Sequence, residues 1–159
     1  MLPDDATIRE VADLLCETVI QDVPCHERAA VAPVGPFVVG RVHIHGAWVG
    51  TVTLACAGSL ARRAAGHLLD LGEAEVTDDD VRDAVGDMTN ILGGGVKALL
   101  PSPSRLSIPV VSAEGAEAMA ALPAGADGAE RSLWFSCGGE PMVLRLRPGS
   151  LASESGGGP

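Results

Sequence analysis

Apolar positions near the beginning of the chain recur every three or four residues, which predicts a first helix. This spacing builds the buried stripe of an amphipathic helix, and the residues concerned are Ile8, Val11, Ala12, Leu15 and Val19. Asp4 and Asp5 precede the pattern, where an aspartate caps a helix N-terminus. We therefore expect a helix from about Thr7 to Ile20, followed by an irregular or edge segment rich in proline.

The apolar period changes to two beyond Phe37. Polar side chains at Arg41, His43 and His45 then interleave with apolar ones, which are Val38, Val42 and Ile44. The run Thr51 to Leu54 alternates in the same way after a short segment bounded by glycines. Two alternating runs joined by a short glycine-containing segment are typical of a β-hairpin.

A second helix is predicted after the hairpin. Ser59 stands where it would cap this helix, and Gly72 stands where it would end it. The apolar residues that lie near one face are Leu60, Ala64, Leu68 and Leu71.

A third and longer helix is expected from about Thr77 to Leu100. Thr77 and Asp80 have the spacing of a capping box, and the acidic run 78–80 lies at the positive end of the helix dipole. Pro101 would stop the helix.

The remaining sequence predicts three strands. They are expected at Arg105 to Val111, Leu133 to Cys137 and Met142 to Arg147, with a turn at 138–141. The stretch Ala113 to Ala129 is interpreted as a loop. We expect one domain over residues 1–149 and a disordered Gly/Ser-rich tail over residues 150–159. The order of elements favours an α/β (α+β) fold with helices packed on a mostly antiparallel sheet.

Composition and charge narrow the possible functions. The 159 residues are 47% hydrophobic, enough for a real core, but only 3% aromatic, too few for base-stacking platforms. A formal net charge of −10 opposes binding to nucleic acid or to an anionic membrane, and no apolar run is long enough to span a bilayer. The four cysteines lie far apart without a C-x-x-C pair, and no signal segment is recognised. We therefore expect reduced thiols and a cytoplasmic protein.

The third helix separates its residues into two faces. At about 100° per residue, the apolar positions fall together on a core face made of Val81, Val85, Met88, Leu92, Val96 and Leu99. The opposite side carries a polar stripe, which consists of Asp83, Asp87, Asn90, Gly94 and Lys97. Any surface helix has a polar face, so periodicity alone does not make this stripe functional.

Two features of the polar stripe argue for a role beyond solubility. Asp and Asn are poor helix formers, so a purely structural surface would rarely place them in mid-helix. Three consecutive glycines, 93–95, each cost the helix roughly 0.5–1 kcal/mol relative to Ala. Either another backbone approaches closely at the glycines, or the helix breaks there.

The sequence around Asn90 resembles the CheC, CheX and FliY phosphatases of bacterial chemotaxis, and CheX-like domains most closely. The corresponding helix in that family carries Asp/Ser-x-x-x-Glu-x-x-Asn, followed by an apolar segment with small residues. Here the stretch from Asp83 to Pro101 reads DAVGDMTNILGGGVKALLP. The resemblance covers about Asp5 to Pro148 and includes Leu-Ser-Ile-Pro-Val at 106–110. A single copy of the helix is present, as in CheX.

The resemblance implies hydrolysis of the aspartyl phosphate of a CheY-like response regulator. Asn90 would orient the attacking water, and Asp87 would pair with a lysine beside the phosphorylation site. Asp83, Gly94 and Lys97 would contribute to partner binding. No cofactor would be bound by this chain, because the receiver domain supplies Mg²⁺, and a homodimer is implied. Asp87 departs from the family pattern, in which the residue is Glu and therefore one methylene longer.

Other readings of the sequence compete with the phosphatase. The polar stripe could belong to a non-catalytic adaptor that binds a receiver or another signalling protein, or to a structural interaction domain. Cys25, His26, His43 and His45 form a weak candidate metal cluster without a recognised ligand spacing, and the rival interpretation of the histidines is a polar sheet face or an interface. Ser136 and Cys137 lack a nucleophile elbow, and the glycines at 93–95 do not form a phosphate loop.

Overall fold

Three helices cover one face of a seven-stranded antiparallel sheet in the computed structural model, which describes residues 4–19, 25–28, 36–115 and 130–149. The helices are α1 (Asp5–Val19), α2 (Gly58–Leu69) and α3 (Asp78–Ala98), with a 3-10 turn at Glu73–Glu75. The strands are β1 (Cys25–Arg28), β2 (Phe37–Gly46), β3 (Gly50–Ala57), β4 (Ser104–Leu106), β5 (Val110–Glu114), β6 (Arg131–Cys137) and β7 (Glu140–Pro148). The predicted fold class is confirmed.

The strands follow the order β1-β6-β7-β3-β2-β4, and β5 also pairs with β2. The predicted hairpin is formed by β2 and β3, which pair from Phe37 opposite Ala57 to Ile44 opposite Gly50. The predicted strand from Arg105 to Val111 is divided into β4 and β5, because segment 107–109 interrupts it. Ala113 and Glu114, which were expected in a loop, belong to β5.

The segment between β4 and β5 is a bulge against β2. Leu106 lies opposite Ile44 and Val110 lies opposite Arg41, so three residues on this edge face two on β2. Pro109 has no N–H to donate to the ladder, which makes it a suitable place for the interruption. Ser107 keeps the segment attached, because its N–H donates to the His43 carbonyl at 2.9 Å and its hydroxyl accepts from the His43 N–H at 2.9 Å.

Local capping explains where two of the helices begin. Asp4 Oδ1 accepts hydrogen bonds from the N–H and the hydroxyl of Thr7, at 2.8 and 2.6 Å. The predicted capping box of α3 is complete, since Asp80 N–H donates to the Thr77 hydroxyl at 3.1 Å and Thr77 N–H donates to the Asp80 carboxylate at 2.9 Å.

Several sequence predictions about the helix ends are wrong. Ser59 does not cap α2; it lies inside the first turn, and its hydroxyl donates to the Glu140 carboxylate instead. Helix α2 ends before Gly72, because Asp70 adopts the left-handed conformation and Leu71 N–H bonds back to the Gly66 carbonyl. Two residues assigned to core faces, Leu68 and Leu99, are 38% and 43% exposed because they lie at or beyond the last turn of their helices.

The glycines of α3 mark close packing and not a helix break. A Cβ on Gly93 would lie 2.7 Å from Val42 Cγ1 of β2, and a Cβ on Gly95 would lie 2.7 Å from Val11 Cγ1 of α1. Gly94, between them, faces open space, with nothing within 4 Å of its Cβ position. The helix therefore uses two of its three glycines to approach the sheet and α1.

A glycine of β2 also allows α3 to pack closely on the sheet. A Cβ on Gly40 would lie 2.0 Å from the hydroxyl oxygen of Thr89, a side chain that is fully buried under the helix. The Thr89 hydroxyl donates to the Val85 carbonyl at 2.6 Å, so this buried polar group is satisfied within α3. Small residues on both partners thus bring α3 close against strand β2.

The prediction that all four cysteines are reduced thiols is wrong for one pair. Cys25 and Cys137 face each other directly across β1 and β6, with Cα atoms 4.1 Å apart, and form a disulfide. Cys16 and Cys56 are free. Burial raises the pKa of the Cys16 thiol to about 11 and that of the Cys56 thiol to about 12, so both are protonated at neutral pH.

The sheet face away from the helices combines polar side chains with a small buried apolar cluster, which consists of Phe37, Val39, Ala55 and Val143. Arg41 binds Glu114 with two hydrogen bonds of 2.7 and 3.1 Å, and these bonds lower the pKa of Glu114 from its ordinary value of 4.5. Burial lowers the pKa of the Arg145 guanidinium, which donates to Ser132 at 3.0 Å and pairs with Glu130 at 3.2 Å. His43 and His45 lie on this same face, as the alternation predicted.

Some sequence predictions fall outside the described residues. These concern the loop beyond residue 115, the tail 150–159 and the prolines at 24 and 33. Among the described residues, none of the helices combines the length and the apolar character that crossing a bilayer requires.

The close packing of α3 predicts opposite effects on the free energy of unfolding for substitutions at two neighbouring glycines. Gly94→Ala should raise the free energy of unfolding by about 0.5–1 kcal/mol, because the added methyl meets open space and the helix gains propensity. Gly93→Ala should lower it by about 1–3 kcal/mol, because buried, β-branched Val42 cannot move aside cheaply. Urea unfolding of the two variants measures both values, and equal effects would contradict this packing.

The Arg41–Glu114 pair predicts a pH-dependent contribution to stability. Because the folded-state pKa of Glu114 is lowered, the contribution is complete above the ordinary value of 4.5 and is lost as pH falls through the folded-state pKa. Glu114→Gln should cost about 0.5–1 kcal/mol at pH 7, reduced by partial exposure, and progressively less in acid. Thermal unfolding at several pH values, with the exposed Glu75→Gln as control, checks this.

Candidate functional site

The polar stripe of α3 points to solvent as predicted, while the helix under it is held on the sheet. Asp83, Asp87 and Asn90 are all exposed. Their neighbours Val85, Met88 and Thr89 are completely buried. Because consecutive helical residues differ by about 100°, the buried positions fix the direction of the exposed ones. The carboxylate of Asp87 and the carboxamide of Asn90 therefore project from adjacent turns of one rigid element.

An open groove of about 800 Å³ runs beside this stripe, between α3 and the bulge that joins β4 to β5. Its helix side is formed by Arg82, Asp83, Gly86, Asp87 and Asn90, and its other side by the segment from Leu106 to Pro109 together with Val111. Leu69, the last residue of α2, closes one part of it. The groove thus brings the predicted carboxylates and the carboxamide to one surface.

Gly86 forms part of the floor of the groove. It lies one turn from both Asp83 and Asn90, and a Cβ on it would be in ordinary contact, 3.6 Å from Val111 Cγ2. The absence of a side chain leaves the helix backbone accessible between the polar groups. A partner chain can therefore approach α3 more closely here than at a position with a long side chain.

An apolar rim surrounds the polar centre of the groove. Ile108 at the tip of the bulge is 86% exposed. Leu69 and Ile91 are each nearly half exposed on the helix side. Exposed apolar side chains grouped around polar residues mark a protein-binding surface more often than a solvated one.

The chemistry available in the groove is that of carboxylates, one carboxamide and one guanidinium. Asn90 is the only asparagine of the chain, and the other carboxamide, Gln21, lies outside the described residues. A carboxamide donates and accepts hydrogen bonds without carrying charge, so it can hold a water molecule beside an anion without repelling that anion. Asp83 and Asp87 can bind cations presented by a partner.

Gly94 and Lys97 were predicted to bind the partner, but the structure does not bring them to the groove. Both are half-buried, and both lie further along α3 than the residues that line it. Lys97 lies in the last helical turn, where a cation interacts favourably with the helix dipole. Their role in partner binding stays a prediction.

Sequence reasoning missed several residues of the site. Arg82, Gly86 and Leu69 were not singled out, and the exposed bulge was predicted as a continuous strand. Pro109 was the available signal, since a proline within a strand pattern indicates an edge or a bulge. Nothing local predicts that the bulge lies beside α3, because that neighbourhood arises from the pairing of β4 and β5 with β2.

The weak metal cluster considered from the sequence is not assembled. Cys25 is on edge strand β1, and strands β6, β7 and β3 separate it from the histidines of β2. His43 Nδ1 lies 2.9 Å from the Thr51 hydroxyl on the neighbouring strand, and the rings of His43 and His45 are 6.2 Å apart. The polar sheet face that was the alternative interpretation describes these histidines.

Fold and site together define the class of this protein. It is a two-layer α+β domain that presents an acidic and amide-bearing helix beside an open, apolar-rimmed groove. The chain belongs to the chemotaxis phosphatase CheX family, whose model matches residues 38–129, more than half of the chain. The matched region contains β2, β3, α2, α3, β4 and β5, and therefore every residue that lines the groove.

Solved structures show the same fold. The chemotaxis protein CheX from Vibrio vulnificus matches with a TM-score of 0.71 at 18% identity, covering 91% of this chain and 95% of that one. CheX in the CheX–CheY–BeF3–Mg²⁺ complex from Borrelia burgdorferi has a TM-score of 0.65 at 13% identity, covering 93% and 99%. FliY from Thermotoga maritima has a TM-score of 0.57 at 15% identity, covering 93% and 87%. A comparison with curated proteins finds no match.

Proposed function

We propose that this chain dephosphorylates an aspartyl-phosphorylated receiver domain of the CheY type. The observation that carries the proposal is that Asn90 and Asp87 are both exposed on one helix whose opposite face is fully buried. Membership of the CheX family and the likeness to a CheX crystallised with CheY support the choice of partner. A cytoplasmic location and a homodimer, both expected from the sequence, remain part of this proposal.

The reaction requires little from the enzyme beyond geometry. An acyl phosphate on a receiver is already activated, and the receiver supplies the Mg²⁺ that neutralises phosphoryl charge. What it lacks is a water molecule held in line with the bond that breaks. Asn90 accepts a hydrogen bond from this water through its carbonyl oxygen and donates to a phosphoryl oxygen through its amide. Hydrolysis then releases inorganic phosphate and restores the aspartate.

Asp87 fixes the docking register in this mechanism. One turn before Asn90, its carboxylate pairs with a receiver lysine beside the phosphorylated aspartate, so one charge contact sets the direction of the carboxamide. The Asp side chain is one methylene shorter than the Glu of the family pattern. The open groove and the side-chain-free Gly86 let a partner approach α3 closely enough to offset part of that difference.

The surroundings of the groove favour a receiver over other partners. The apolar rim at Leu69, Ile91 and Ile108 supplies contact area for a neutral protein surface. A net charge of −10 attracts the lysine at a receiver active site over several ångströms and makes association sensitive to salt. The same charge opposes binding of free phosphate esters, so the phosphoryl group has to be brought by a protein.

The first experiment tests whether Asn90 is catalytic. A receiver encoded in the same genome is phosphorylated with a small phosphodonor, and loss of phosphate is followed with and without this protein. Wild type should accelerate the loss, and Asn90→Ala should reduce that acceleration roughly 100-fold, because the water is no longer positioned. Binding of the variant to the BeF3⁻-activated receiver, measured by fluorescence anisotropy, should remain close to wild type.

Controls separate the phosphatase from an adaptor. Glu75→Gln changes an exposed acid of the 3-10 turn outside the groove and should leave the decay rate unaltered. Wild-type protein that binds the receivers without accelerating phosphate loss from any of them would show an adaptor and would overturn the proposal. Loss of binding together with activity in Asn90→Ala would remove the assignment of that side chain to catalysis.

The second experiment uses the length of the acid at position 87. Asp87→Glu should increase the acceleration, because the longer side chain reaches the receiver lysine without a bridging water. Asp87→Ala should weaken binding about tenfold through loss of the charge contact, with a smaller dependence on salt than wild type. A decrease in Asp87→Glu would indicate a contact specific for Asp, and no change in either variant would contradict the proposed role.

A further inference from the structure

Three of the four cysteines meet at one place in the fold, away from the groove. Cys16 lies on α1, Cys25 on edge strand β1 and Cys137 on β6, and their Sγ atoms all lie within 4.8 Å of one another. Among the described residues, this is the group of His, Cys, Asp and Glu side chains with the spacing of metal ligands. Cys137 is 112 positions from Cys25, so only the fold brings its sulfur to the other two.

We propose that the reduced chain binds one Zn²⁺ ion through Cys16, Cys25 and Cys137. A tetrahedral Zn²⁺ with Zn–S bonds of about 2.3 Å places its sulfur ligands roughly 3.8 Å apart. The three sulfurs already lie within 4.8 Å of one another. To reach the zinc arrangement, the bonded sulfurs of Cys25 and Cys137 have to move apart after reduction. A disulfide needs only two of these sulfurs. The third sulfur beside them completes a set of three ligands for a metal ion.

The surroundings of the sulfur cluster fit a cation with one open coordination position. Cys137 is fully buried, while Cys16 and Cys25 are half-buried, so the cluster is closed on the core side and reaches solvent on the other. Asp13 and Glu17 are exposed on α1 next to Cys16 and add negative charge. Water can therefore occupy the fourth position, while the protein supplies three thiolates.

Metal binding and the disulfide are alternative states of the same sulfurs. A phosphine reductant gives two electrons to the Cys25–Cys137 disulfide and becomes a phosphine oxide, while water supplies its oxygen and two protons; the S–S bond breaks and two thiols are left. When Zn²⁺ binds, the thiol protons pass to solvent as three S–Zn bonds form. A small-molecule disulfide that accepts two electrons from Cys25 and Cys137 is reduced to two thiols as the S–S bond forms again, which removes two ligands and releases the ion.

The bound ion would link helix α1 to the paired strands β1 and β6. Helix α1, strand β1 and strand β6 come together at the cluster, and among the described strands β1 pairs with β6. An ion that binds the folded chain and not the unfolded chain stabilises the fold in proportion to the logarithm of its concentration. Zn²⁺ should therefore raise the melting temperature of the reduced protein and leave the oxidised protein unchanged.

The experiment uses the full chain without an affinity tag. Protein reduced with a phosphine under anaerobic conditions is titrated with Co²⁺, whose thiolate charge-transfer absorption reports sulfur ligands, and Zn²⁺ content is measured after gel filtration. One ion per chain is expected in the reduced state and none after oxidation. Saturating Zn²⁺ should raise the melting temperature by roughly 5–10 °C at about 100 times the dissociation constant.

Variants assign the ligands. Cys16→Ser and Cys16→Ala change a half-exposed helical position and should fold normally by circular dichroism, yet lose the cobalt–thiolate band and the zinc-induced shift. Cys56→Ala is the matched control, because this buried thiol is not one of the three proposed ligands. Its removal should leave the cobalt–thiolate band and the zinc-induced shift in melting temperature intact. No thiolate band in reduced wild type, unchanged binding in Cys16→Ser, or equal loss in Cys56→Ala would each overturn the proposal.

Discussion

The close packing of helix α3 on strand β2 is the contact on which the rest of the structure depends. Gly40 lies directly under the Thr89 hydroxyl, and Gly93 lies against Val42, so neither contact leaves room for a side chain. Interiors are packed as densely as organic crystals, and a helix held at such distances cannot roll without large clashes. The outward direction of Asp87 and Asn90 is thus a consequence of what is buried on the other side of α3.

Local physics explains why much of this fold could be predicted from the sequence. The capping box at Thr77 and the apolar periodicity of α3 lie within a few residues of each other, and both are confirmed. The alternation after Phe37 predicted the hairpin, because a strand with one face in the core needs period two. The wrong predictions about the helices concern their ends, where Leu99 and Gly72 depend on how the chain leaves the helix.

What could not be predicted arises from contacts between distant parts of the chain. Cys25 and Cys137 are separated by 112 positions, and only the pairing of β1 with β6 places them opposite each other. The bulge beside α3 likewise results from a one-residue difference in register on either side of Ser107–Pro109. The polar half of the candidate site was therefore found from helical spacing, whereas its apolar rim was not.

The glycine run of α3 connects the packing of this helix to its proposed chemistry. Catalysis by positioning loses its advantage when the positioned group moves, since a displacement of about 1 Å can cost roughly 100-fold in rate. Gly93 and Gly95 lock α3 against β2 and α1 within two turns of Asn90, at a cost in helix propensity that tighter packing offsets. Because α3 is held rigidly, a shorter acid at position 87 disturbs the position of Asn90 less than it would on a mobile helix. The receiver has to adjust to a fixed carboxamide, and the open groove and exposed Ile108 provide the surface on which that adjustment takes place.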